Sequence, residues 1–432
     1  YSSAASDVYK RQGSMNLYFD VRDIFRAPRL ALSGKKIWIF IVGNLAGFIA
    51  YWVFTYLSLA MSGMGLSDAI AKYGLYPCLY GNEAEWYSWV TYCIGVEAWI
   101  LAICLACTAV SRVTLKQLKG NDFFSAGDAW SYVHKHWHAV VFSPIAIGLI
   151  IAFFIVFAGF FALLGSIPYL GEFLFVVPYV LYFFGSVFTL YTLFVLFVSL
   201  VYTSSIVGVY EEDTMGTVFQ SYSIAWSQPW RVITYHIILI PLVLLGLEII
   251  SWFWFNSIGF INYVFGCEWF MAGKLSNMAS YASSLVCPAW IGEMAVCVRN
   301  CVAGCLSCSY SLPSLFSTTC AVPTSAMSGT EAIAGVVLAV SYFLIGLSIL
   351  SYGLSIVSVG ETLMFIIFKK KSDDDDLLQR KDEDELEDDM DDEFSFDDDE
   401  DETDSDDAQE ESPDDGSDGY VSGDSDNSNS ET

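Results

Sequence analysis

The stretch from Ala139 to Gly165, AVVFSPIAIGLIIAFFIVFAGFFALLG, decides the fold class because it runs for 27 residues without a charged side chain. About 20 apolar residues in helical form cross the hydrocarbon core of a bilayer. Backbone amides in lipid must also find partners inside the protein, which a helix provides. We therefore predict that this stretch is a transmembrane α-helix.

Five other stretches have the same character, so the chain is predicted to be an all-α polytopic membrane protein with about six transmembrane helices. In chain order the predicted spans are about 37–61, 86–110, 139–165, 173–205, 232–256 and 331–368. The fourth and sixth are longer than one crossing requires, and Pro178 would permit a kink in the fourth.

Charge divides the chain into an apolar body and an acidic tail. Residues 372–432 hold 31 of the 49 acidic residues and two of the 20 basic ones, so the other 371 residues hold 18 of each. This distribution excludes an ordinary soluble enzyme and a nucleic-acid-binding protein. We predict that 372–432 is a disordered polyanion. It could bind a basic protein partner, solubilise the chain without any partner, or bind divalent cations weakly.

Basic residues near the span ends predict the orientation. They precede the first span, follow the second, start the fifth and end the sixth, at Arg22, Arg26, Arg29, Lys35, Lys36, Arg112, Lys116, Lys119, Arg231, Lys369, Lys370 and Lys371. With alternating spans they all fall on one side, so both termini are predicted to be cytoplasmic. The segment 257–330 is then the one sizeable outside loop. Residues 1–14 lack the apolar core of a signal peptide, and we interpret them as a non-native or disordered extension.

A tryptophan stands at the start of each odd-numbered span: Trp38, Trp137 and Trp230. Each follows a segment with apolar residues at helical spacing, which is typical of a helix that lies in the membrane interface. Tryptophan at headgroup depth would anchor it there. We therefore predict three hairpin units, each preceded by a cytoplasmic amphipathic helix. Pro28 weakens the first unit, because proline disrupts a helix interior.

The third of these segments, Phe219–Arg231 (FQSYSIAWSQPWR), ends in a tryptophan just before a span. In this it resembles several families of uncharacterised multi-span bacterial membrane proteins. The resemblance covers two such segments of the chain. It implies a bacterial inner membrane and no particular activity.

Few polar groups inside the predicted spans could carry chemistry. Glu97 and Glu248 are acids within spans, and His236 lies near the cytoplasmic end of the fifth span. A charge in the bilayer is costly, so each is a functional candidate, with a protonated structural role as the alternative. His134 and His138 share a helix face, but we interpret them as interfacial because no Cys or second acidic ligand lies nearby.

Eight cysteines lie in the predicted outside loops, where disulfides persist. They are Cys78, Cys267, Cys287, Cys297, Cys301, Cys305, Cys308 and Cys320. Up to four bridges could form, with a pairing that spacing does not determine. A zinc cluster is the alternative.

Gly346, Gly353 and Gly360 recur every seven residues in the last span. Small residues on one stripe let another helix approach closely. The stripe could serve packing within the chain or oligomerisation of several copies.

The chain has no phosphate-binding loop, dinucleotide fingerprint, nucleophile elbow or metalloprotease helix. We therefore expect no enzymatic activity, cofactor or metal site. The predicted function is a non-enzymatic factor that organises the lipid bilayer or assembles partners, through its interfacial helices and acidic tail. The alternative is a transporter or channel that uses Glu97.

Overall fold

The computed structural model describes residues 15–271, 273–286 and 327–380. These residues form helices and contain no strand, which confirms the all-helical class. Six of the helices are long and apolar enough to span a bilayer, as an integral membrane protein requires. The extension 1–14, most of the outside loop and the tail beyond Arg380 lie outside the described residues.

The six long helices are α3 (Gly34–Met61), α5 (Trp86–Leu118), α6 (Ala126–Gly165), α8 (Tyr179–Tyr210), α10 (Pro229–Phe265) and α12 (Gly329–Ser372). The six shorter ones are α1 (Val21–Ile24), α2 (Ala27–Ala31), α4 (Leu66–Tyr73), α7 (Leu170–Val176), α9 (Thr214–Ser227) and α11 (Gly273–Val286). Five long helices cover their predicted spans completely, and most extend well beyond them. Part of the predicted outside loop is helical, since α10 continues into it and α11 lies within it.

Pro178 divides the predicted fourth span instead of kinking it. Helix α7 ends at Val176, and Pro178 is the N-cap of α8. Proline has no N–H to donate and its ring clashes with the preceding turn, so a helix readily ends there. Pro144 and Pro241, in contrast, lie inside continuous helices.

The three predicted interfacial helices take three different forms. The first is broken into α1 and α2, with Pro28 in the first turn of α2. The second is continuous with its span in α6, a 40-residue helix that begins with a capping box between Ser125 and Asp128. The third, α9, is a separate helix whose N-cap, Asp213, accepts a hydrogen bond from the Gly216 amide at 2.8 Å. The three units therefore do not share one plan.

Both ends of the described chain meet at one end of the bundle, which we call the proximal end. The amide of Met15 donates to the carbonyl of Leu118 at 2.9 Å. Lys371 Nζ lies 2.7 Å from Asp20 Oδ1. An even number of crossings produces this arrangement. The opposite end, which holds α4 and α11, is the distal end.

The side-chain core lies towards the proximal end. Every residue of α12 from Ser358 to Phe368 is buried there. Away from the proximal end, α6 and α8 expose large apolar side chains such as Phe160 and Leu181. The proximal end thus packs like a water-soluble protein, whereas the exposed apolar surface of the remaining helices suits contact with lipid.

The first residues of the predicted tail pack against the proximal end. Leu377 is only 2% exposed and belongs to the main hydrophobic core. The guanidinium of Arg380 lies over the ring of Tyr210, 4.6 Å from its centroid, and Lys119 Nζ donates to the Arg380 carbonyl. The described body therefore continues past the predicted boundary at residue 372.

Close contact between α3 and α5 depends on glycine. A Cβ added to Gly43 would lie 2.8 Å from Ala106 Cβ, and one added to Gly47 would lie 2.9 Å from Ala102 Cβ. These two glycines are four residues apart, on one face of α3, and they allow the helix backbones to approach closely.

The predicted glycine stripe of α12 is used largely within the chain. A Cβ on Gly353 would lie 2.8 Å from Leu247 Cδ2, and one on Gly360 would lie 2.5 Å from Leu239 Cδ1. Both leucines belong to α10. A Cβ on Gly346, however, would meet nothing within 4 Å.

We expect Gly360→Leu to lower the free energy of unfolding by about 1–3 kcal/mol, because the new side chain must displace buried Leu239. Thermal unfolding in detergent measures the effect. The matched control is Gly185→Leu in α8, where an added Cβ meets nothing within 4 Å. Equal melting temperatures for the two variants would contradict the packing role of Gly360.

Candidate functional site

A buried ion pair joins three long helices at the proximal end. Arg112 Nη1 lies 2.5 Å from Glu211 Oε1, and the two side chains are 0% and 9% exposed. The guanidinium lies over the Tyr132 ring at 4.5 Å, and the Tyr132 hydroxyl donates to the Val207 carbonyl at 2.6 Å. The cluster thereby connects α5, α6 and the end of α8.

The backbone at Glu211 is shaped for this contact. Glu211 follows the last residue of α8 in the left-handed conformation, with φ of 60°. Glycine adopts this region most readily, and other residues pay a steric penalty there. The ion pair with Arg112 gives a reason for a glutamate at this position.

An acid that sequence reasoning overlooked, Glu361, lies in the proximal core. It is 9% exposed and close enough to Cys104, Cys107 and Tyr202 to interact with them electrostatically. It therefore lies where α12 meets α5 and α8. The sequence contained the information needed to find it, because Glu361 is an acidic residue within the predicted sixth span.

Hydroxyl groups on the same helices bind backbone carbonyl and hydroxyl oxygens of α5. Ser358 donates to the Cys107 carbonyl at 3.1 Å, and Thr362 donates to the Ser111 hydroxyl at 2.9 Å. Ser204 donates to the Cys104 carbonyl at 3.0 Å. The site is thus a polar seam between α5, α8 and α12 inside an otherwise apolar body.

The candidate polar residues from the sequence lie away from this seam or at its edge. Glu97 is on the exposed surface of α5, and Glu248 is half-buried on α10. His236 is also half-buried. Its Nδ1 lies 2.7 Å from the Val232 carbonyl oxygen of its own helix, and its ring meets that of Tyr202 edge-on at 5.7 Å.

Helix α9 has two faces of different character. One face, with Thr217, Val218, Ser221, Ile224 and Ala225, is buried against the bundle. The other carries Met215, Phe219 and Trp226, which are 60%, 67% and 79% exposed. Residues at this spacing share one side of a helix. We call these three residues the α9 apolar stripe.

Hydrogen bonds hold α9 across several long helices. Ser143 of α6 donates to the carbonyl of Thr214 at 3.2 Å, where α9 begins. The Tyr222 hydroxyl lies 3.3 Å from Thr192 Oγ1 of α8. Just beyond α9, Gln228 Nε2 donates to the carbonyl of Phe368 in α12 at 3.0 Å. The helix is therefore fixed by three others with its apolar stripe facing outward.

The three predicted tryptophan anchors are all exposed. Trp38, Trp137 and Trp230 have exposed fractions of 59%, 46% and 78%. Trp130, in contrast, is half-buried and approaches Gly43 of α3. The exposed three are free to contact lipid headgroups, as aromatic belts do.

The structure does not support the predicted disulfide framework. Cys78 and Cys267, the two predicted participants among the described residues, are free thiols. Cys78 Sγ lies 4.0 Å from the Tyr92 hydroxyl. The other six predicted participants lie outside the described residues.

Two carboxylates at the proximal end have lowered pKa values. Hydrogen bonding and charge from Lys371 lower the pKa of Asp20, and a hydrogen bond from Lys369 at 2.6 Å lowers that of Asp373. Folded pKa values below those of the unfolded chain mean that these contacts stabilise the fold above the ordinary Asp range. Their contribution is lost as the pH falls through the lowered values.

Comparison with protein-family models, characterised proteins and solved structures gave no match for this chain. The assignment of function therefore rests on the site geometry.

We expect Arg112→Ala to lower the free energy of unfolding by about 3–5 kcal/mol, because Glu211 would remain buried without its cation. Reversible unfolding in mixed detergent micelles measures the change. Arg22→Ala is the matched control, since Arg22 is exposed at the same end. If the two variants unfolded alike, the ion pair would have no structural role.

Proposed function

We propose that this integral membrane protein is a non-enzymatic factor that organises the bilayer and assembles partners at its proximal face. The α9 apolar stripe carries the proposal. Three other helices hold α9 in place, so the exposure of Met215, Phe219 and Trp226 is a fixed feature of the fold. Contact with lipid would cover these apolar side chains. Insertion of such a stripe at the boundary between headgroups and acyl chains perturbs lipid packing.

The same proposal places the proximal end in the cytoplasm of a bacterial inner membrane. The support is the set of basic residues that precede α3, end α5 and end α12. Labelling of the exposed Cys267 thiol by an impermeant maleimide only from the cytoplasmic side would contradict this orientation.

The acidic tail completes the proposed role by recruiting a basic protein. The described part of the acidic segment packs on the proximal face through Leu377 and Arg380. A polyanion and a basic surface attract each other over roughly one Debye length, about 8 Å in physiological salt. A chain truncated after Arg380 that keeps its basic partners would contradict this part.

We expect the double variant Phe219→Ser/Trp226→Ser to lose the ability of the full chain to deform vesicles, because the stripe can no longer insert. Cryo-electron microscopy of phosphatidylcholine–phosphatidylglycerol vesicles, at equal protein content, measures their diameter and tubulation.

The matched control for this experiment is Trp269→Ser, which removes an exposed aromatic side chain after α10. It should deform vesicles as the wild type does. Vesicles of the same shape with the wild type and the double variant would exclude the stripe as the organising element.

A transporter is the second candidate function, and Glu361 favours it more than Glu97 does. An acid in a membrane protein core, with tyrosine and cysteine neighbours on two other helices, is a candidate carrier of protons or cations. Glu97 lies on the exposed surface of α5, at the edge of that core, where it is close enough to Cys104 to interact with it electrostatically.

For a carrier, Glu361→Gln should abolish proton flux into vesicles that contain a pH-sensitive dye under an imposed potential. Glu97→Gln is the control and should keep the flux. If the wild-type protein conducts no protons or cations, the carrier function is ruled out and Glu361 serves structure.

A further inference from the structure

A cavity of about 800 Å³ lies between α10, α11 and α12, with residues of α3 and α5 on its back wall. One end reaches Leu247, beside the contact between that leucine and Gly353. The other end reaches Asn262, later on the same helix. At the helical rise, this stretch of α10 is about 22 Å long. The cavity is thus long, and it follows the direction of the spans.

The chemistry of the wall changes along this length. The deep part is formed by Leu247, Leu347 and Ile349, which offer aliphatic surface. The distal part carries Asn262 and Ser280, and Tyr342 is hydrogen-bonded to Asn262. None of the described residues that line the cavity is charged.

Helix α11 contributes the polar side of the distal part. Ser276, Ser280 and Ser283 recur on the face of α11 that lines the cavity. Ala282 is buried, and Tyr281 packs against Gly335 of α12. The serine face is therefore held towards the cavity by packing on another side of the same helix.

We propose that this cavity binds one bilayer lipid, with an acyl chain along Leu247, Leu347 and Ile349 and an uncharged or zwitterionic polar head at Asn262 and Ser280. The apolar part of the wall lies deeper along the spans, and the polar part lies towards the distal surface. A lipid in the distal leaflet has the same polarity in the same direction. The volume falls within the range of about 300–1,000 Å³ that ligand pockets occupy.

The absence of charge among the described lining residues selects the class of lipid. An anionic head would find hydroxyl and amide donors here but no basic side chain to compensate its charge. Phosphatidylcholine therefore fits the cavity better than phosphatidylglycerol. This site is separate from the α9 apolar stripe, so its occupancy does not depend on the function proposed above.

Gly346 offers a way to fill the cavity without disturbing the fold. It lines the cavity, and a Cβ added to it would meet nothing within 4 Å. The ring in Gly346→Phe would therefore occupy the space assigned to the acyl chain. Ala279→Phe fills the same space from α11. Gly185→Phe in α8 is the matched control, because its Cβ also meets nothing within 4 Å and the residue does not line the cavity.

The test uses the full chain in phosphatidylcholine vesicles that contain one of two photoactivatable phosphatidylcholines. One carries a diazirine near the end of an acyl chain, and the other carries it in the head. We expect the chain probe to label Leu247, Leu347 or Ile349 and the head probe to label Asn262 or Ser280, as mapped by mass spectrometry. Gly346→Phe and Ala279→Phe should lose both sets of labels, and Gly185→Phe should keep them. Replacing part of the unlabelled phosphatidylcholine by phosphatidylglycerol should raise the yield of both sets of labels, because phosphatidylglycerol competes less well for the cavity.

Three results would overturn the proposal. Chain labels confined to outward-facing residues such as Phe253 would show annular lipid only. Labels at the cavity that persist in both filling variants would show that the lipid binds elsewhere. Lipid labels on residues 287–326 in place of the cavity wall would show that the lipid does not occupy the cavity. If Gly346→Phe fails to fold, Ala279→Phe alone decides.

Discussion

The cost of removing charge and hydrogen-bonding groups from water governs the proximal half of this structure. Arg112 and Glu211 are both buried, and each is tolerable there because the other is present. Tyr132 extends the same contact through its ring and its hydroxyl to a third helix. The positions of α5, α6 and the end of α8 relative to one another depend on this satisfied cluster.

Hydroxyl groups and glycines complete the arrangement around the cluster. Serine and threonine side chains of α8 and α12 bind carbonyl and hydroxyl oxygens of α5, and the short side chains let the helices approach. Gly43 and Gly47 do the same for α3 against α5. Lipid competes equally for apolar contact, so close packing and hydrogen bonds are what favour helix association in a membrane. Glu361 lies inside this seam, where it is largely shielded from solvent.

The two proposed sites lie in different parts of the molecule and follow different physical rules. The α9 apolar stripe is convex and exposed, and it suits contact with many lipids at once. The distal cavity is concave and uncharged, and it suits one lipid held in a defined orientation. A protein that organises a bilayer gains from both properties. Under the two proposals, the first would perturb the leaflet in which it lies, and the second would give the protein a preference among lipids.

Much of the architecture could be predicted from local sequence, but the details of the polar sites could not. Helix α6 begins after a capping box at Ser125 and continues without a break, whereas the sequence predicted an interfacial helix and a separate span that meet near Trp137. Arg112 counted among the residues that set orientation, yet it is fully buried. Its partner is 99 positions away in the chain, so no local pattern connects them. The sequence shows that Glu361 is an acid within a predicted span. Its burial, however, depends on the other helices that pack around it.

The sequence by itself determined that six apolar helices form and that an acidic segment follows them. The hydrophobicity of a span and the hydrogen bonds of its helical backbone both depend on residues that are close in the chain. A local stretch of sequence is therefore sufficient to predict a span. Only the tertiary structure decided which polar groups are buried together, which face of α9 is exposed and where a cavity remains. Those outcomes depend on contacts such as Tyr352 with the Pro28 carbonyl, between residues 324 positions apart. Such contacts form only when the helices have packed against one another.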